Sequence, residues 1–210
     1  MKKNPGVFVG IVPILSVIGV IGLVGITGYF IVKTLKTQNE AFVREEIVFE
    51  LRADGNVEVK AKYWIKNKKN EDHELNFSYP FPKDPYLKPP EYVAARTVYG
   101  DSIVEIKPGF AADHWLLNTT LRAGQTPVIE VCYQQKTIES TFKYMLTSTK
   151  SWGRALKEAN FIIRLPKEYV LTYCSYVYAQ REEDDFNSYE IYQTDFIPKQ
   201  ELVFSWAKDK

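Results

Sequence analysis

The residues of this chain that could perform chemistry are scattered along it. The chain has two histidines, and one of them, His73, lies among acidic residues in the string NEDHEL. Neighbouring residues of a strand or turn point in different directions, so these side chains do not converge automatically. A zinc site usually needs about three or four convergent ligands. The string therefore predicts a charged turn rather than a metal site.

Two further strings resemble functional motifs without meeting their structural requirements. Ser140–Lys143 matches the S-x-x-K motif of penicillin-recognising enzymes, in which Ser and Lys share a helix face. Here a strand is predicted, and strand residues three apart face opposite sides. The acidic run Arg181–Asp185 lacks the ligand spacing of a calcium loop. We therefore expect no catalytic residue, no metal ligand and no cofactor.

The chain has two cysteines, Cys132 and Cys174, and both fall inside predicted strands. A location outside the cytoplasm would permit a disulfide between them. In the strings VIEVCYQQ and VLTYCSYVY, alternation places each cysteine on the less buried side of its strand. A bond between Cys132 and Cys174 therefore requires adjacent strands. The alternative is two unpaired thiols that pack as small side chains.

A proline-rich stretch, YPFPKDPYLKPPEY, interrupts the strands. Proline cannot donate a backbone hydrogen bond to a sheet, so this stretch is predicted to be a loop. Stiff aromatic side chains lose little entropy on binding, which favours an interaction loop. The alternative is a loop that folds over a sheet edge and protects it. The candidate interaction residues are Pro82, Pro85, Tyr86, Leu87, Pro89 and Tyr92.

Strands must position these side chains, because alternation with a period of two runs through most of the chain. Residues 47–51 and 57–65 alternate apolar and polar side chains on either side of Asp54-Gly55, which predicts a tight hairpin. Further strands are predicted at 75–79, 97–106, 115–121, 128–137, 141–147, 160–165, 169–179, 189–194 and 201–206. Within residues 45–210, only KSWGRALKEA, residues 150–159, suggests a helix. Many short strands separated by turns predict an all-β fold, an antiparallel two-sheet sandwich.

Two stretches carry a resemblance to a group of known proteins. LRAGQTPVIEVCYQQ, followed by TFKYMLTSTKSWGRALKEANFIIRLP, resembles a pattern in uncharacterised bacterial membrane-tethered β-sandwich proteins. In that pattern a glycine turn precedes a strand ending in Tyr, and a Trp-bearing segment precedes a strand ending in Leu-Pro. The resemblance implies an immunoglobulin-like sandwich in the bacterial envelope, with no assigned activity.

The N-terminal segment VFVGIVPILSVIGVIGLVGITGYFIV, residues 7–32, contains no charged residue. A helix needs about 20 apolar residues to cross a bilayer, so we predict a transmembrane helix whose partner is the lipid bilayer. A cleavable signal peptide, which has a shorter apolar region, is the alternative. The predicted organisation is a short N-terminal tail (1–6), the transmembrane helix (7–32), a polar juxtamembrane stalk (33–44) and a β-sandwich domain (45–210).

Charge completes the prediction of location and function. Lys2 and Lys3 precede the apolar segment, which favours a domain outside the cytoplasm, although Lys33 and Lys36 weaken this bias. The net charge of +1 does not indicate the excess of basic residues that nucleic-acid binding usually requires. We therefore expect a single-pass protein of the cell membrane whose extracytoplasmic sandwich, without enzymatic activity, binds another envelope protein. The alternative is a carbohydrate-binding or carbohydrate-active domain at the cell surface, with aligned aromatic side chains and a pair of acids.

Overall fold

The structure, a computed structural model, describes residues 39–82, 84–111 and 114–209. These residues form strands and one short 3-10 helix, Thr147–Trp152. The strands are β1 (Glu40–Leu51), β2 (Asn56–Asn67), β3 (His73–Pro80), β4 (Tyr92–Tyr99), β5 (Ser102–Ile106), β6 (Gly109–Ala111), β7 (His114–Leu121), β8 (Val128–Lys136), β9 (Thr141–Tyr144), β10 (Leu156–Pro166), β11 (Tyr169–Cys174), β12 (Ala179–Glu182), β13 (Phe186–Phe196) and β14 (Leu202–Lys208). The predicted mostly β fold is therefore confirmed.

The predicted transmembrane segment, residues 7–32, lies outside the described residues. Within the part of the chain that the structure describes, no helix is long and apolar enough to cross a membrane.

Eight strands form one large sheet in the order β12-β13-β10-β1-β2-β8-β4-β5. The predicted opening hairpin is confirmed, because β1 and β2 pair antiparallel as far as Leu51 opposite Val57. Gly55 in its turn has a φ of 80°, a left-handed conformation that glycine adopts without strain. On its other side β1 pairs with β10 in parallel, with Arg44 opposite Glu158.

The second layer consists of two three-stranded sheets, ordered β11-β14-β9 and β3-β7-β6. The Phe49 ring of β1 lies 5.8 Å from Phe142 and 5.6 Å from Phe204, centroid to centroid, in the first small sheet. The Tyr133 ring of β8 lies 5.4 Å from Trp115 in the second small sheet. Both small sheets therefore cover the same face of the large sheet, in a sandwich-like arrangement whose core lies between the layers.

Three tyrosine hydroxyls meet where the three sheets join. Tyr63 belongs to the large sheet, Tyr144 to the first small sheet and Tyr79 to the second. The Tyr63 hydroxyl lies 3.0 Å from that of Tyr79 and 2.6 Å from that of Tyr144, and the last two are 2.9 Å apart. Burial raises the pKa of all three phenols well above the usual value. A closed, uncharged triangle of hydrogen bonds therefore joins all three sheets.

The sandwich begins earlier than the sequence predicts. β1 starts at Glu40, inside the segment 33–44 that was predicted to be a stalk. The register of β1 shifts between Phe42 and Arg44, so Phe42 and Glu45 are both buried. This bulge interrupts the alternation by which a strand is recognised, which explains the missed start.

Two of the predicted strands are each divided into two strands in the structure. The predicted strand 97–106 turns back at Gly100-Asp101, where Gly100 has a φ of 57°, and forms the hairpin of β4 and β5. The predicted strand 169–179 divides into β11, in a small sheet, and β12, in the large sheet. Continuous runs of residues with high β propensity concealed both breaks.

The predicted helix is also mostly wrong. Only Lys150–Trp152 of the string KSWGRALKEA lies in the short 3-10 helix, and β10 begins at Leu156. The buried residues Leu156 and Ala159 face the core, and the partners β1 and β13 fix this segment as a strand. Tertiary pairing has overridden a local helix preference.

The expected antiparallel, two-sheet arrangement is corrected in two respects. The second layer is divided into two sheets, and the β1–β10 pair is parallel. Alternation has the same period in parallel and antiparallel strands, so the sequence pattern carries no information on strand direction or on strand order.

Candidate functional site

The two edge strands of the large sheet differ in their protection from another strand. β12 is polar, and its Arg181 lies 2.6 Å from Glu190 in an ion pair. β5 instead exposes two adjacent aliphatic side chains, since Ile103 is 54% and Val104 is 44% exposed. Among the described strands, β5 pairs only with β4. An open apolar edge is a template for an added strand, which makes β5 the candidate binding element.

The backbone of β5 presents hydrogen-bonding groups on its open side. β4 and β5 are joined by a two-residue turn, with Tyr99 opposite Ser102. The pair that flanks such a turn is hydrogen-bonded, and bonded pairs then alternate along the ladder. The N–H and C=O groups of Ser102, Val104 and Ile106 therefore face β4. Those of Ile103 and Glu105 face away from the sheet.

A cleft of about 400 Å³ opens between β5 and β7, and we call it the edge cleft. Its lining includes Asp72, Glu74, Tyr99, Val104, Thr120 and Arg122. The Thr120 hydroxyl donates to Glu74 Oε1 over 2.6 Å, and the Tyr99 hydroxyl donates to the Thr120 carbonyl. The backbone N–H of Ala123 donates to Asp72 Oδ1 over 2.7 Å. These bonds fix two carboxylates at the cleft.

The charges of the edge cleft favour a cationic group. The Arg122 guanidinium lies 4.3 Å from the Tyr99 ring centroid, so this cation is already engaged with an aromatic face. Partial burial raises the pKa of Tyr99; Arg122 opposes this shift, and the negative charges of Asp72 and Glu74 add to it. The phenol is therefore a neutral donor, while both carboxylates keep unfilled acceptor positions for a ligand.

The opposite face of the large sheet carries a shallow hollow of about 620 Å³, which we call the outer hollow. Its floor contains Ala94 and Cys132, which lie opposite each other in β4 and β8. Its rim includes Arg96 and Glu130, whose Nε and Oε2 atoms lie 2.6 Å apart. Small side chains among long charged ones create this depression. Because Glu105 lines both cavities, β5 lies between the edge cleft and the outer hollow.

The predicted proline loop lies along β8. The N–H of Lys88 donates to the Lys136 carbonyl over 3.0 Å, and Leu87 forms a bridge with Thr137. Of the predicted interaction residues, Pro85, Tyr86 and Pro89 are exposed, Pro82 and Leu87 are buried, and Tyr92 begins β4. The loop therefore continues the line of β4 beside β8, and only part of it is presented to solvent.

The structure does not bring the two cysteines together. Cys132 lies in β8 on the outer face of the large sheet, where its sulfur is 3.9 Å from Glu58 Oε1. Cys174 lies in β11 of a small sheet and packs against the core. Both thiols are free, and the pKa of each is raised by burial. A full layer of core side chains separates the two positions.

Sequence reasoning missed a buried acid, Glu45. It lies in β1 opposite Tyr63 and Ala159, with only 1% of its surface exposed. Its Oε1 atom has no hydrogen-bond partner among the described residues. Burial raises the pKa of Glu45 to about 8, so the side chain is mostly protonated at neutral pH. In the string VREEIVFE an acid between strand residues indicates solvent exposure, and no sequence signal marks this one as buried.

The remaining candidate groups are dispersed. Among the described residues, no three His, Cys, Asp or Glu side chains are placed to hold a metal ion together. The Nε2 atom of His73 lies 2.6 Å from Glu40 Oε1, so its neighbour is an acid of β1 rather than of its own string. Five exposed aromatic rings lie in different elements: Tyr86 in a loop, Phe110 in β6, Tyr173 in β11, Tyr178 between β11 and β12, and Tyr192 in β13. Among the described residues, therefore, no single strand aligns these rings for sugar binding.

Comparison with known proteins identifies the fold and no family. No family model matches the chain, and no curated protein matches it. A candidate nutrient-binding protein from Legionella pneumophila matches with a TM-score of 0.62 at 12% identity, over 80% of this chain and 67% of that one. An M1 zinc metallopeptidase from Deinococcus radiodurans matches with a TM-score of 0.47 at 10% identity, over 80% of this chain and 42% of the peptidase. At such identities the likeness concerns the fold alone, and the chain spans less than half of the peptidase.

Proposed function

We propose that the protein is a single-pass membrane-anchored module whose sandwich lies outside the cytoplasm and binds another protein of the envelope. The uncharged segment 7–32 supports the anchor, and the basic residues that precede it support the orientation. The module binds rather than catalyses, and it does so through the open edge of β5.

The observation that carries this proposal is the contrast between the two edges of the large sheet. Folded proteins protect edge strands with charges, bulges or covering loops, because an open edge recruits other strands. β12 carries such charges, whereas β5 exposes Ile103 on the outer face of the sheet and Val104 on the inner face. β5 is a largely apolar edge, in which Glu105 is the one charged residue. Such an edge, flanked by a cleft on one face and a hollow on the other, has the features of a docking site.

A site-specific photocrosslinker tests the binding site in the full-length protein in its native membrane. With p-benzoylphenylalanine at position 103, we expect one discrete crosslinked protein; with the same group at position 181 in β12, we expect none. Glu105→Pro removes an outward-facing N–H without touching the hydrogen bonds to β4, and it is expected to abolish the product at position 103. Equal products from both positions, or a product that survives Glu105→Pro, would overturn the proposed site.

The side of the membrane is tested separately. Alkaline phosphatase fused after Lys210 is active only outside the cytoplasm, and green fluorescent protein fused there by the same route fluoresces only inside. We expect phosphatase activity without fluorescence. The reverse pattern would place the sandwich in the cytoplasm and remove an envelope partner from consideration.

A further inference from the structure

We infer that the partner segment is an extended basic strand, which pairs with β5 and directs a Lys or Arg side chain into the edge cleft. This inference rests on the proposed function, and it adds the conformation and the chemistry of the partner.

The backbone of β5 determines the conformation of the partner. The outward N–H and C=O groups of Ile103 and Glu105 are two residues apart, which is the spacing that an extended strand satisfies. A helix cannot meet this row, because its own backbone groups are bonded internally. The bound segment must therefore be extended, and its side chains alternate between the two faces of the large sheet.

The edge cleft determines the side chain on the inner face. Val104 lies in register with Thr97, whose hydroxyl contacts Thr119 of β7 between the layers, so Val104 points to the inner face. A partner residue opposite Val104 points the same way and enters the cleft. There it meets Asp72 and Glu74, while the cleft's own cation is stacked on a ring. A long cationic side chain fits this position.

The outer face determines the alternate side chains. Ile103 lies in register with Val98, and both lie in the row that contains Val128 of β8. Ile103 is the exposed end of this apolar row. A partner residue opposite Ile103 therefore gains by being apolar. The recognised segment is therefore a strand with a basic residue opposite Val104 and an apolar residue opposite Ile103.

The test uses the full-length chain in detergent micelles and a synthetic peptide, Thr-Lys-Val-Lys-Val-Lys-Thr, with both ends blocked. Backbone amide exchange is followed by nuclear magnetic resonance. We expect the amides of Ile103 and Glu105 to exchange at least about tenfold more slowly with peptide, because they gain hydrogen bonds on the open side. The amide of Val104, already bonded to β4, is expected to change little and serves as an internal control.

Charge recognition is tested by matched changes on both partners. A peptide with Glu in place of each Lys is expected not to bind. Asp72→Asn combined with Glu74→Gln is expected to weaken the Lys peptide about 5-fold, since each exposed ion pair is worth a few-fold in affinity. Glu182→Gln in β12 is the control and is expected to leave affinity unchanged. Raising the salt from 0.05 M to 0.5 M is expected to weaken binding as well.

Four results would overturn the inference. Equal binding of the Lys and Glu peptides would show that the partner needs no basic residue. Slower exchange at Val104 alone would show that the peptide does not pair with β5 as an added strand. Protection of Ile103 that rises with protein concentration in the absence of peptide would show that a second copy of the chain fills the edge. If the peptide fails while the crosslink at position 103 persists, the chemistry inferred for the partner is wrong and the proposed function stands.

Discussion

The hydroxyls of Tyr63 and Tyr144 lie 2.6 Å apart at the junction of the large sheet with the first small sheet. Tyr79 of the second small sheet closes the triangle. The division of the second layer into two sheets leaves a polar cluster in a largely apolar core. A polar network in a core stabilises a particular arrangement only when all of its members are satisfied.

Tyr144→Phe removes one corner of this triangle and is expected to lower the free energy of unfolding by about 1–2 kcal/mol. The hydroxyls of Tyr63 and Tyr79 remain hydrogen-bonded to each other, but each loses its hydrogen bond to Tyr144. Urea denaturation of the full chain in micelles, followed by circular dichroism, measures the change. Tyr173→Phe is the matched control, because Tyr173 is 55% exposed and its loss should change stability by less than about 0.5 kcal/mol. Equal effects of the two substitutions would contradict a stabilising role for the triangle.

Glu45→Gln is expected to remove a pH-dependent component of stability. Burial raises the pKa of Glu45 from 4.5 to about 8, so the folded state holds a proton that the unfolded state has lost. This contribution is fully present below pH 4.5 and declines as the pH rises to about 8, by roughly 1 kcal/mol per pH unit.

The measurement is the difference in unfolding free energy between wild type and Glu45→Gln at pH 5, 6.5 and 8. Relative to the wild type, the unfolding free energy of Glu45→Gln is expected to rise steadily from pH 5 to pH 8. Glu139→Gln, at an exposed position, provides the control and should show no such trend. A constant difference for Glu45→Gln would mean that the carboxyl is not buried in the protonated form.

The opening hairpin could be predicted because its information is local. Its strands, residues 47–51 and 57–65, alternate regularly around Asp54-Gly55, and the structure pairs them as expected. The turn at Gly100-Asp101 was missed because the residues before and after it all favour strands. The candidate site itself could not be predicted. An open edge at β5 depends on the order of strands in the sheet, and that order is set by contacts between distant residues.

Both cysteines are expected to be free thiols in the full chain purified without reductant. Cys132 lies on the outer face of the large sheet and Cys174 packs against the core from a small sheet, so no bond can join them without rebuilding a layer. Alkylation with N-ethylmaleimide under denaturing conditions is expected to add two adducts by mass spectrometry. Cys132→Ser should leave one. A wild-type chain that takes up no adduct would show that the disulfide exists and that the layers are arranged differently.

Asn67→Asp, which replaces a side-chain amide by a carboxyl group of nearly the same size, is expected to destabilise the described domain strongly. Asn67 is fully buried, and its Nδ2 atom donates to the carbonyls of Glu71, Leu121 and Arg122 over 2.9, 3.0 and 3.2 Å. Its Oδ1 atom accepts from the N–H of Lys69 over 2.8 Å. One amide side chain thus ties the end of β2 to the β2–β3 turn and to the end of β7.

The substitution places a carboxylate oxygen against three carbonyl oxygens. We therefore expect the free energy of unfolding to fall by about 3 kcal/mol or more at neutral pH. Asn67→Ala, which removes the donors without adding a charge, is the matched comparison and is expected to lose about 2 kcal/mol. Burial favours the protonated form of the new acid, so the gap between the two variants should widen from pH 5 to pH 8. Because Asn67 lies in the string IKNKKNED, which reads as a solvated turn, equal and small losses would show that the turn is exposed and that the sheets are not joined at this point.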